Sequence, residues 1–235
     1  MTTIRAVKLF HYPATRSARV RWALHETVGD DFEIKRIDLY GGDQYCPSYL
    51  AKNPNHGVPL LEITLADGGV VRMIESAAMV ALLMDAYPDK GLAPAAHAFS
   101  PERADYLQML HFAGTWMDMM LWQIRIHEHV LAADERDPRT AERYRRKFAA
   151  EVEPQLAERL ERSSYICGDN FCGADILVGH TILWARGYQL CAGEMFRAYL
   201  SRLSKRPAFQ KAFADAREFE PQVPEHSPIR VRFTG

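Results

Sequence analysis

Apolar and polar residues alternate over Arg5 to His11, the period of a β-strand. From Ser17 the spacing changes to a helical one, with Val20, Trp22-Ala23-Leu24 and Val28 on one face and Gly29 as a C-terminal cap. Phe32 to Leu39 reads as a second strand. Leu60 to Leu65 and Val70 to Met73 flank Asp67-Gly68-Gly69, the turn chemistry of a hairpin. Ser76 to about Tyr87 returns to a helical period, while Tyr45 to Lys52 fits a short helix or a loop. The order is β-α-β, then β-β-α.

Beyond Pro88 the strand signals stop. Residues 88–100, with Pro88, Gly91, Pro94 and a run of alanines, read as a linker. Ser100-Pro101-Glu102 opens a helix with a capping residue, a first-turn proline and an early acid. Tyr106, Leu107, Leu110, Trp116 and Leu121 carry it to about Ala133. Asp137-Pro138 starts a charged helix that runs to about Arg162 with a bend at Pro154. Ile176 to about Leu190 is very apolar, shorter helices cover Phe196–Leu203 and Pro207–Phe219, and the tail from Glu220 reads as loop. The pattern predicts an α/β domain over residues 1–87 and an all-α domain over 101–235.

The 235 residues suffice for one large core or two modest ones. Acids (30) and bases (29) nearly cancel, which argues against nucleic acid as a partner, since such proteins carry a basic excess. No run approaches the ~18 apolar residues of a membrane span, and the first residues lack the pattern of a secretory signal. Cys46, Cys167, Cys172 and Cys191 form no CxxC and no zinc spacing, as expected of reduced thiols in a cytoplasmic protein. His127 and His129 lie two apart and cannot share a helix face, so no metal is expected there.

Candidate chemistry lies in two short motifs. Val58-Pro59 joins a Gly-bearing loop, Asn53 to Gly57, to an apolar strand. Proline is the residue that readily takes a cis bond. With that bond cis, the N–H and C=O of Val58 turn away from the sheet and can pair with a bound peptide. Glu75-Ser76 then opens a helix, where free N–H groups, a hydroxyl and a carboxylate can hold the carboxylate and ammonium of an amino acid.

Three segments together resemble the cytosolic glutathione transferases across nearly the whole chain. Leu9 to Leu24, containing Thr15-Arg16-Ser17-Ala18-Arg19-Val20-Arg21-Trp22, is similar to the Ser-Arg-Ser-x-Arg start of bacterial and fungal members. Asn53 to Pro59 followed by Glu75-Ser76 is the second, and Phe171-Cys172-Gly173-Ala174-Asp175 the third. The resemblance implies a thioredoxin-like N-terminal domain and an all-helical C-terminal domain. It implies glutathione as co-substrate, with Val58 on its cysteinyl backbone, Pro59 cis, and Glu75 and Ser76 on its γ-glutamyl end. It also implies a homodimer.

The sulfur must ionise to react. Moving a thiol from a pKa of ~8.5 to ~6.5 requires about 2.7 kcal/mol in favour of the anion. A helix N-terminus supplies roughly 0.3–2 kcal/mol and a hydroxyl bond to the anion roughly 1.5–3 kcal/mol, so no general base is required. Thr15 is the first candidate for that hydroxyl and Ser17 the second; the position after the proline, hydroxylated in several classes, is Ala14 here. Arg16 either aids the thiolate or holds the peptide's carboxylates, and it stands where cysteine-type members carry their nucleophile. His56 is placed for the glycyl carboxylate. A pocket for a small apolar electrophile is expected from Tyr12, His111, Phe112, Thr115, Trp116, Met119 and Met120. A glutathione-dependent disulfide or peroxide reductase and a non-catalytic glutathione-binding module are the alternatives. Asp175 is read as a folding residue that caps its helix through the Cys172 N–H, with the thiol a poor partner for the other half of the box.

Overall fold

The structure, a computed structural model, describes residues 4–97 and 99–230. Strands β1 (Ile4–His11), β2 (Glu33–Arg36), β3 (Leu60–Leu65) and β4 (Val70–Met73) form one sheet in the order β2-β1-β3-β4. β1 pairs parallel with β2 and antiparallel with β3, and β4 closes the hairpin on β3. Alternation divides the side chains. Val7, Leu9, Leu61 and Ile63 enter the main core, while Phe10 and Leu60 meet Ile37 and Tyr49 on the opposite face. β2 is shorter than the apolar run Phe32 to Leu39 predicts. The Ile37 N–H still reaches the His11 carbonyl (2.9 Å), but the Asp38 carboxylate then takes the N–H groups of Tyr40 and Gly41 and turns the chain.

Helices α1 (Ser17–Thr27) and α3 (Ser76–Ala86) cover the main face. The ambiguous segment holds a 3₁₀ turn, Asp43–Tyr45, and a short helix α2 (Pro47–Leu50) whose Tyr49 packs on Phe10. α1 is buried on most of its circumference because the helical half packs on its far side: the Trp22 ring lies 5.7 Å from Phe171 and 5.0 Å from Phe209.

The helical half opens with α4 (Pro101–His111) and α5 (Asp118–Arg125), made continuous by π-helical turns at Phe112–Met117 and Ile126–Val130. Ser100 caps α4 by accepting the Arg103 N–H (3.0 Å). The predicted single charged helix is α6 (Pro138–Glu151) and α7 (Glu153–Arg162), meeting at Val152, since Pro154 has no N–H to offer the Ala150 carbonyl.

The apolar helix α8 (Gly173–Arg186) begins and ends earlier than Ile176 to Leu190. Its start is fixed by Asp175, which accepts the N–H of Cys172 (2.9 Å), the N–H of Ile166 (2.9 Å) and the hydroxyl of Tyr199 (2.6 Å). The Cys172 thiol also accepts its backbone bond, so both halves of the box form where the sequence led us to expect one. α9 (Glu194–Ser204) and α10 (Pro207–Ala212) follow, with a separate 3₁₀ turn at Ala216–Glu218 instead of one helix to Phe219. The described tail is loop from Glu220 to Ser227, and residues 228–230 form a helical turn in place of the expected loop. The loop ties the far end of the long helix to the β2–α2 segment, through Val223 N–H to the His129 carbonyl (3.1 Å) and Tyr40 hydroxyl to the Glu220 carbonyl (2.6 Å).

Candidate functional site

The loop from β1 to α1 makes a tight reversal. Ala14 takes a left-handed backbone (φ 52°), and the Thr15 carbonyl accepts the Ala18 N–H (2.8 Å) to start the helix. The Thr15 hydroxyl donates to the Tyr12 carbonyl (2.7 Å) and lies 2.8 Å from the Ser17 hydroxyl, on a half-buried residue. Ser17 lies behind it, fully buried and bonded to His11 Nδ1 (2.7 Å). Ser17 therefore cannot touch a ligand directly, and its candidacy as the sulfur's hydroxyl is corrected by its burial.

The second wall comes from the β2–β3 connection. Val58-Pro59 is cis, and the sheet register ends at the Phe10–Leu60 pair, leaving Val58 two residues beyond it. The Asn53 amide (2.8 Å) and the Tyr49 hydroxyl (2.5 Å) both donate to the Gly57 carbonyl and hold the loop ahead of Val58. His56 is exposed in that loop with a left-handed backbone, its ring 5.2 Å from Tyr45. Glu75 stands exposed at the start of α3, and Ser76 beneath it is buried.

A cleft of about 250 Å³ joins the two halves of the chain. Its wall on one side is Arg16, Glu75, Ser76 and Ala77, and on the other Gly114, Thr115, Asp118, Met119 and Trp122. The wide π turn at Phe112–Met117 brings Gly114 against α3: a Cβ added there would lie 3.1 Å from that of Ala77. The cleft thus brings Arg16, Glu75 and Ser76, expected at the glutathione, together with Thr115 and Met119, expected at the electrophile. Tyr12, His111 and Trp116 do not line it. Tyr12 is 6% exposed, covered by Tyr40 and Phe219. His111 is exposed on the helix flank, and Trp116 faces α6, where the Lys147 ammonium lies 4.9 Å from its ring.

Beneath the cleft lies a buried polar network that sequence reasoning missed. Arg19, with 0% exposure, donates to both Asp118 oxygens (2.7 and 2.6 Å), to His180 Nδ1 (3.0 Å) and to Thr181 Oγ1 (2.8 Å). Its weakest bond, at 3.4 Å, reaches the Ser76 hydroxyl. Arg16 shares the same carboxylate (3.1 Å), its guanidinium 5.4 Å from the rings of Trp122 and Trp184. Burial pushes the Asp118 carboxyl up, but Arg19 and Arg16 outweigh it and hold the group below its usual range. Burial, with Arg19 beside it, takes His180 down to about 3, so the ring is neutral: Nδ1 accepts from Arg19 and Nε2 donates to the Thr15 carbonyl (3.1 Å). The signals for these residues were a lone carboxylate in the apolar run Trp116 to Trp122 and a His-Thr pair inside the most apolar helix.

Residues 5–80 match the family model of the glutathione S-transferase N-terminal domain. Over 219 residues the chain is 30% identical to glutathione S-transferase 3 of Zea mays, covering 88% of this chain and 93% of that one. It is 29% identical over 219 residues to the disulfide-bond oxidoreductase YfcG of Escherichia coli, covering 89% of this chain and 95% of that one. Among solved structures, the ternary complex of BphK, a bacterial glutathione transferase, superposes with a TM-score of 0.70 at 26% identity, over 89% of this chain and 98% of that one. A mixed four-stranded sheet, a helical second half and a cleft where the two meet are thus joined by sequence similarity along nearly the full length, and the chain belongs to the glutathione S-transferase family.

Proposed function

We propose that this protein conjugates the thiolate of glutathione to small apolar electrophiles. The carrying observation is the cleft itself, with charged and hydroxyl groups of the first half (Arg16, Glu75, Ser76) facing Met119, Thr115 and Trp122 of the long helix. The Glu75 carboxylate takes the ammonium of the γ-glutamyl end. The first-turn N–H groups and Ser76 hydroxyl of α3 take its carboxylate. Val58 pairs with the cysteinyl backbone through its own N–H and C=O, beside the cis Pro59, and His56 is the nearest side chain proposed for the glycyl carboxylate. The sulfur rests at the start of α1, where the Thr15 hydroxyl turns from the Tyr12 carbonyl to donate to it. Arg16, held by Asp118 and two tryptophan rings, adds fixed positive charge. The thiolate then attacks the electrophilic carbon, a C–S bond forms, and the leaving group departs with the electron pair of the bond that breaks. The working form is proposed to be a homodimer, which light scattering tests.

A glutathione-dependent disulfide reductase is the second reading, supported by the relative named as a disulfide-bond oxidoreductase. No cysteine of the chain lines the cleft, so that reaction would run through the thiols of glutathione alone. One experiment separates the two: initial rates with an activated aryl chloride and with a small dialkyl disulfide, each with glutathione in excess. Turnover of the aryl chloride, lost on Thr15→Ala, supports conjugation; turnover of the disulfide alone supports the second reading, and neither rate would sink both.

A further inference from the structure

The Thr15 hydroxyl is the outer end of a hydrogen-bonded chain that runs into the protein. Thr15 Oγ1 lies 2.8 Å from Ser17 Oγ, and Ser17 Oγ lies 2.7 Å from His11 Nδ1. His11 Nε2 in turn lies 3.2 Å from Asp215 Oδ2, and Asp215 also accepts from Arg21 Nη1 (2.7 Å). Residue 215 follows α10, so the chain of bonds spans both halves of the molecule. His11 is 1% exposed and Ser17 0%, which leaves the half-buried Thr15 as the outlet.

The tautomer follows from the charges. Burial raises the Asp215 carboxyl, but its bond to His11 and the neighbouring Arg21 bring it below its usual range, so it is a carboxylate and takes the Nε2–H. Burial lowers His11 more than Asp215 raises it. The ring is therefore neutral in the resting protein, with the lone pair of Nδ1 aimed at Ser17. The charged groups facing His11 are Asp215, Arg21 of α1 and Arg36 of β2, and Arg36 is itself paired with Glu218.

We propose that His11 accepts the proton of the bound thiol, through the hydroxyls of Thr15 and Ser17, with Asp215 holding the ring in its accepting tautomer. This rests on the transferase reading, which seats the sulfur at Thr15. The thiol proton passes to Thr15 Oγ1, the Thr15 proton to Ser17 Oγ, and the Ser17 proton to His11 Nδ1. Three X–H bonds break and three form; a neutral thiol and a neutral imidazole become a thiolate and an imidazolium, with no change in total charge. Asp215 alone leaves the resting ring neutral, so the relay requires the new thiolate, acting together with Asp215, to raise the ring's proton affinity enough for it to hold the proton near neutral pH. The Tyr12 carbonyl competes for the same hydroxyl protons at 2.7 Å (Thr15) and 3.1 Å (Ser17), so hydroxyl rotation alone switches between the backbone-bonded and relayed arrangements. The relay gives the proton a destination inside the protein, which a helix end and a lone hydroxyl do not.

The test counts protons. Full-length protein is mixed with glutathione near neutral pH in weak buffer, following thiolate absorbance in the ultraviolet and proton release with an indicator dye. S-methylglutathione, which has no thiol proton, supplies the background. The relay predicts a thiolate band with close to zero protons released per thiolate formed. His11→Asn keeps a side-chain oxygen that can accept the Ser17 bond yet cannot take the proton. It should release about one proton per thiolate, raise the thiolate midpoint by about one pH unit and lower kcat/KM roughly 10²-fold. Ser17→Ala, which cuts the chain at its middle, should show the same stoichiometry. A full proton released by the unmutated protein overturns the relay by itself, however the variants fold. So does a His11→Asn protein with unchanged stoichiometry and midpoint. Absence of any thiolate band refutes the transferase reading, and the relay with it.

Discussion

Removing the Asp118 carboxylate is the sharpest test of how the two halves of the chain are held at the cleft. Arg19 is fully buried, and its bidentate pair with Asp118 is the only interaction among the described residues that supplies it a negative charge. In Asp118→Ala the guanidinium keeps His180, Thr181 and Ser76 as neutral acceptors, but its charge is left uncompensated and Arg16 loses the same carboxylate. Breaking one side of a buried ion pair costs about 3–5 kcal/mol, against a typical stability of about 5–15 kcal/mol. At about 2–4 °C per kcal/mol for a chain of this size, the melting temperature should fall by roughly 6–20 °C. Asp118→Asn keeps one acceptor oxygen and should lose less. Arg19→Met/Asp118→Leu, which removes both charges, should recover part of the loss. The assay is urea unfolding at pH 7 followed by circular dichroism. The folded-state pKa of Asp118 lies below its unfolded value, so its stabilisation is complete above pH ~4 and is lost as pH falls through the folded value. The difference between Asp118→Ala and the unmutated protein should accordingly shrink in acid. A loss under about 1 kcal/mol at pH 7, the range of solvated pairs, would refute the reasoning.

His180 is neutral in the fold at a pKa of about 3 and unfolds to an ordinary value near 6.5. The unfolded chain therefore takes up the proton first, and stability should fall by about 1.4 kcal/mol for each pH unit below ~6. His180→Asn should flatten the curve of unfolding free energy against pH by about one proton between pH 6 and 4; an unchanged slope would assign the titration elsewhere. Gly173→Ala would put a methyl 2.6 Å from the Tyr106 hydroxyl and 2.8 Å from Met84 Cγ where α8 meets α4 and α3. A loss of about 1–3 kcal/mol is expected in thermal melts, and a neutral result would show that this contact yields. Ala14→Gly relieves a left-handed alanine (φ 52°), worth about 1–2 kcal/mol, against about 0.4–1 kcal/mol of added unfolded-chain entropy. A melting temperature equal or slightly higher, with unchanged glutathione affinity, is the expected outcome; a clear loss would contradict the assigned backbone.

What was legible in the sequence is what the local chain decides. β3 and β4 fell where the apolar alternation and the Asp67-Gly68-Gly69 turn put them, because both signals lie within a few residues of the bonds they make. The starts of α3 and α4 follow from Ser76 and from Ser100-Pro101 for the same reason. Arg16, Glu75 and Ser76 could be assigned to the glutathione, and Thr115 and Met119 to the electrophile, because the family pattern carries the tertiary information that spacing lacks. Tyr12 and Trp116 are expected at the pocket, although apolar stripes of this kind are more often core or dimer interface. Tyr12 is buried under the tail and Trp116, still exposed, lies against Lys147 of α6, placements decided by segments about two hundred and about thirty residues away.

The buried network shows where local reading stops and what replaces it. Arg19, Asp118 and His180-Thr181 each have an ordinary explanation alone: a solvated arginine, a helix-surface acid, a core histidine. An arginine can be fully buried only if a carboxylate arrives at the same point, and the sequence separations are 99 residues to Asp118 and 161 to His180. The same holds at His11. Strand alternation puts its side chain on the face of Val7 and Leu9, so a core position is legible, and Ser17 is near enough to be guessed as a partner. Asp215, 204 residues on, is not. A polar residue on an apolar face therefore announces that a distant partner exists without naming it. His11 and Arg19 both find theirs in the helical half. The proposed thiol site is then fixed by both halves at once, and a variant that loosens their packing should lose thiolate before it loses the fold of either.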